Sequence, residues 1–109
     1  MNTVIAKNIF SKLPDNVLKD EVIETLLENK NIKLERIITT GQTTPQGQWY
    51  DQTQDEWVML LQGEAAILFE DGEEVHLKSG DYISIKAHHK HRVNWVSPQD
   101  VCVWLAIFF

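Results

Sequence analysis

The chain has 109 residues, 43% of them hydrophobic, which is enough for one domain around one apolar core. Sixteen acidic residues against ten basic ones give a formal net charge of −6. The acidic residues are spread along the chain, and the balance argues against a general phosphate-binding surface and so against nucleic acid as a partner.

The opening residues, "MNTVIAKNIF", lack the apolar block and small-residue cleavage site of a signal peptide. No apolar run reaches the ~20 residues of a membrane helix. A cytoplasmic protein with no membrane partner is expected. Next comes "DNVLKDEVIETLLENK", which reads two ways. Leu18, Val22 and Leu26 recur every four residues, as in a helix that Asp15 would cap. The same region also reads as two strands around a turn at Asn29-Lys30-Asn31, so residues 16–28 stay open. From Ile32 to Thr39 a strand is expected. There Ile32, Leu34 and Ile38 alternate with Lys33, Glu35 and Thr39, the pattern of a half-buried strand.

"GQTTPQGQ" is a loop by its glycine, proline and polar content. "EWVMLLQG" is a strand stopped by Gly63. "EAAILFEDGEEVHLKSGD" is a hairpin with Asp71-Gly72 at its turn. "DYISIKA" is a further strand, and "HRVNWV" alternates so that His91, Val93 and Trp95 share one face, taken as the inner one. A histidine among inward apolar residues needs a hydrogen bond, a carboxylate or a metal. "VCVWLAIFF" is the last buried strand and holds the lone cysteine, Cys102, an inert thiol that excludes an intrachain disulfide. Many short strands at this spacing predict an all-β sandwich or barrel.

Two spacings then resemble the motifs of the cupin superfamily. Glu56, six residues and Gly63 resemble the end of the first motif; Gly80 and His91 stand at the separation of the second. The pattern "WYDQxxDEWVxLLQGEA…AHxxHRVxW" is similar to small single-domain bacterial cupins. The resemblance implies a cupin-type β-barrel, a jelly-roll-like double sheet over residues 32–109, behind an irregular or partly helical N-terminal segment of residues 1–31.

In cupins the two motifs carry a metal, so the resemblance implies a divalent ion, zinc, iron or manganese, held by His91 and Glu56. The histidine pair of the first motif is missing. With four residues before Glu56 its place falls to Trp49 and Asp51; with three, to Tyr50 and Gln52. Asp51 offers an oxygen ligand, and His88 stands where it would restore a lost one. Lys86 and His88 replace the proline and glycine of the second motif. Trp49 and Tyr50 are expected to line a pocket at the mouth. His89 and His76 are expected at the surface.

The function implied is a small metal-binding cupin acting on a small molecule, with no substrate named. The alternative is a binding or sensing cupin without a stoichiometric metal. Small cupins often pair through sheet edges, and the apolar "WLAIFF" end adds to the expectation of a homodimer.

Overall fold

The computed structural model describes residues 3–109. Eight strands follow in order: β1 (Val22–Glu28), β2 (Lys33–Thr39), β3 (Glu56–Gln62), β4 (Glu64–Phe69), β5 (Glu74–Lys78), β6 (Tyr82–Ile85), β7 (His91–Val96) and β8 (Cys102–Phe108). They form a five-stranded sheet, β1-β2-β8-β3-β6, and a three-stranded sheet, β5-β4-β7. All pairings are antiparallel. No helix among the described residues is long and apolar enough to cross a membrane.

The sheets face each other over a core that includes Leu60, Ala65, Ile67, Leu77 and Trp104. The C-terminal run is covered because β8 is the central strand of its sheet, flanked by β2 and β3.

The helical option for the N-terminal segment is not realised. Residues 16–21 are irregular, and residues 22–28 are the edge strand β1. The four-residue spacing is outweighed by pairing with β2 and by the β-branched Val22, Ile23 and Thr25. The turn is set by Asn29, whose Oδ1 accepts from the amides of Asn31 and Ile32 at 3.0 and 3.1 Å. The larger sheet thus takes in a strand from the segment expected to precede the barrel.

Strand β2 is buried or half-buried on both faces. Half-burial would leave Glu35 and Thr39 in solvent; instead they line the barrel cavity beside Ile37. The opposite face lies under the N-terminal segment. There Arg36 donates to the carbonyls of Ile9 and Ser11, each at 2.8 Å, and pairs with Glu24.

Strand β7 departs from simple alternation as well. Ala66 pairs with Trp95, but the next residue, Ile67, pairs with Val93, leaving Asn94 as an extra residue. This bulge shifts the phase of the strand. Trp95 is therefore 38% exposed and tilts against His76, while Val96 is buried at 4%. Val93 and His91, beyond the bulge, keep the inward face.

Gly63 joins β3 to β4 with φ +101°, and a Cβ there would lie 2.5 Å from Cys102 Sγ. Cys102 is buried, and burial raises its thiol pKa, in keeping with an inert residue.

Candidate functional site

Glu56 is the first residue of β3, held between Ile85 of β6 and Phe108 of β8. His91 is the first residue of β7 and pairs with Phe69 of β4. One comes from each sheet, and both point inward. Their relative exposures are 7% and 5%. His91 Nε2 stands 3.4 Å from Glu56 Oε1. That oxygen is buried and has no hydrogen-bond donor.

The other ring nitrogen, Nδ1, is 2.9 Å from the His89 carbonyl, which can only accept, so Nδ1 carries hydrogen. In the neutral ring Nε2 is then a lone pair facing a carboxylate. Two lone pairs at this distance repel, so a proton or another cation favours the pair. Burial works against a charged imidazole here. The Glu56 carboxylate and the His89 carbonyl outweigh it, and the pKa of His91 is raised above the ordinary 6.5.

Tyr50 completes this end of the barrel. Its backbone bridges His91 in both directions, N–H to carbonyl at 2.8 and 3.2 Å. Its ring is 5.7 Å from the imidazole. Burial, with the charge of Glu21, pushes its hydroxyl pKa up. Because side chains alternate along extended chain, Tyr50 and Gln52 both turn inward. Both line the cavity with Glu56 and His91. In this chain, therefore, the side chains that reach the cavity are those of the three-residue spacing.

Alternation sends Trp49 and Asp51 the other way. Neither lines the cavity. Asp51 Oδ1 is 2.8 Å from His88 Nδ1, and both side chains are largely in solvent. His88 sits in the turn before β7 with φ +63°. It keeps the left-handed conformation that a glycine there would adopt freely. The four residues expected to share a metal thus form two pairs: His91 with Glu56 inside, and His88 with Asp51 outside. Of the two expected pocket residues, Tyr50 lines the cavity and Trp49 does not. His89 and His76 are surface residues; the His89 ring lies tilted against Phe69 at 4.3 Å.

Structural zinc sites use four ligands and catalytic sites three plus an open position. Around His91 the cavity brings together one imidazole and one carboxylate, Glu56, beside Tyr50 and Gln52, while its other carboxylates, Glu21 and Glu35, stand at the rim. Among the described residues there is no group of three or more His, Cys, Asp or Glu placed to hold a metal ion. The residues present do not fit a three- or four-ligand centre.

The cavity itself is about 120 Å³. Its walls include Val58, Ile67, Val93 and Trp104, and its rim carries Glu21 and Glu35. Burial and the nearby Glu35 raise the pKa of Glu21. The sequence gives little sign of either rim residue: Glu35 reads as the outer face of a strand, and Glu21 precedes a segment of open conformation.

Residues 37–108 match the family described as the cupin domain. No curated protein matches the chain. Among solved structures, a putative mannose-6-phosphate isomerase from Ralstonia eutropha JMP134 is 41% identical, covering 96% of this chain and 97% of its own, with a TM-score of 0.90. A cupin superfamily protein from Desulfitobacterium hafniense DCB-2 is 17% identical over 98% of this chain and 93% of its own, with a TM-score of 0.78. The Fe(II) form of HppE is 15% identical over 82% of this chain and 50% of its own, with a TM-score of 0.70. The last two likenesses are of fold alone.

Proposed function

Because the chain belongs to the cupin domain family, we propose that its barrel cavity is a small-molecule site organised by His91 and Glu56, without a stoichiometric metal. The observation that carries this is Glu56 Oε1: buried, without a donor, and facing His91 Nε2 at 3.4 Å. Leaving such an oxygen unpaired is costly, so a ligand that donates to it gains affinity. Apolar walls with a few convergent polar groups are the usual make-up of a ligand pocket.

His91, its pKa raised by the facing Glu56 carboxylate, holds a proton next to the bound molecule. The imidazole can give it to, or take it from, an atom of the ligand within hydrogen-bond reach. Turnover would use that exchange; a binding or sensing protein would use only the hydrogen bonds. The name of the Ralstonia relative would bring a sugar phosphate here, but no lysine or arginine among the described residues lines the cavity to receive one.

Two measurements test the proposal together. Elemental analysis after supplementation with zinc, iron and manganese should find far less than one metal per chain, no different from His91→Ala. A small-molecule screen by NMR should find ligands that bind the wild type and not Val93→Phe, whose side chain fills the cavity. One metal per chain lost in His91→Ala would overturn the metal-free site, and equal binding by both chains would overturn the cavity as the site.

A further inference from the structure

Beyond naming a cavity, the lining says what charge it accepts. We infer that the barrel cavity takes a small organic cation, a protonated amine on a compact apolar body, with the ammonium group at Glu56. This rests on the cavity being the small-molecule site and adds the class of ligand.

The first support is the unpaired Glu56 Oε1, nine-tenths buried and aimed into the cavity. An ammonium group brings three donors, and its bond to a carboxylate is of the strong, charge-assisted kind. The ammonium takes the place of the proton that the His91–Glu56 contact otherwise favours: with Nδ1–H held by the His89 carbonyl, the Nε2 lone pair is then free to accept a second of those donors.

The second support is the sign of the lining. Apart from His91 and Tyr50, every ionisable side chain of the cavity is a carboxylate: Glu21, Glu35 and Glu56. Lys33 lies outside it and offsets Glu35 in part, at 3.2 Å. Among the described residues there is no helix, so no helix N-terminus is available for an anion. A carboxylate or phosphate ligand would meet these carboxylates with no lysine or arginine in the lining to offset them, and the imidazole that could donate is already paired with Glu56.

The third support is shape. About 120 Å³ is roughly four times the share of liquid volume taken by one water. That admits a handful of heavy atoms. Ile37, Val58, Ile67 and Val93 suit an alkyl body, and Trp104 and Tyr50 add aromatic surface that favours a cation.

The test uses one carbon skeleton with different heads: butylammonium, 1-butanol, butyrate and butyl phosphate. Each is titrated into the full chain, following the methyl resonances of Ile67 and Val93. Butylammonium should bind about tenfold more tightly than butanol, the scale of one charge-assisted bond. Butyrate and butyl phosphate should leave these resonances unmoved. Glu56→Gln should remove the preference for the amine while leaving butanol binding in place. Glu21→Gln, at the half-exposed rim, should weaken the amine about threefold by loss of one screened charge.

Butyrate or the phosphate ester binding as well as the amine would overturn the inference while the cavity stands as a site. Amine binding unchanged in Glu56→Gln, or manganese(II) broadening the same resonances at lower concentration than the amine, would also overturn it. If no member of the series moves these resonances, the cavity as a small-molecule site falls, and the inference falls with it.

Discussion

At the scale of single residues, His91 carries the clearest consequence. Its pKa is raised in the folded chain, against the burial that opposes it, by Glu56 and the His89 carbonyl. A group with a raised folded pKa contributes stability that is full below its unfolded value and lost as pH rises through the folded one. The stability of wild type over His91→Gln should therefore be greater at pH 6 than at pH 8.5, read from urea midpoints across that range. A difference that stayed flat or grew with pH would mean that the Glu56–His91 contact does not hold the proton. His91 and Glu56 were legible because their spacings to Gly80 and Gly63 resemble motif spacings. Asp51 and His88 were not: which of Tyr50, Asp51 and Gln52 faces inward depends on the backbone bridge from Tyr50 to His91, and that contact spans 41 positions of chain.

At the scale of elements, two backbone features decide where side chains go. The bulge in β7 turns Trp95 out and Val96 in, and nothing in "HRVNWV" marks Asn94 as the extra residue. The β3–β4 corner is different, because Gly63 is visible in the sequence and the structure supplies its reason. Its positive φ and its contact with Cys102 leave no room for a side chain. Gly63→Ala should cost about 2 kcal/mol or more from strain and overpacking. In thermal denaturation that is a drop of roughly 10 °C for a chain of this size. An unchanged melting temperature would show that the corner relaxes freely. The β1–β2 pair shows why the N-terminal segment resisted reading. Its four-residue spacing is real, but the hydrogen bonds that decide for strand come from β2, and Arg36 of β2 then fastens residues 9 and 11 across the outer face.

At the scale of the whole molecule, the apolar surface is unevenly placed. Large exposed apolar side chains gather before Asn29, among them Val4, Ile5, Ile23, Leu26 and Leu27. β1 is also an edge strand, paired among the described residues with β2 alone. An apolar edge strand is a template for pairing with another copy. We propose a homodimer through β1 rather than through "WLAIFF", most of which the centre of the sheet already covers. Light scattering over a range of concentrations should show a dimer, and Leu27→Lys should return a monomer with unchanged circular dichroism; a monomer at every concentration would remove the dimer. Sequence alone determined the all-β architecture, the turns, the strands from Glu56 onward, the buried cysteine and the inward His91. Those features follow from local chemistry: alternation, glycine and asparagine turns, and motif spacing. Tertiary structure decided the fate of residues 16–28, the outward turn of Asp51 and His88, and the arrival of Glu21 and Glu35 at the cavity rim. Each of these depends on pairing between strands, from the β1–β2 hairpin to the Tyr50–His91 bridge, and a shift of one residue in such a register moves a side chain to the opposite face.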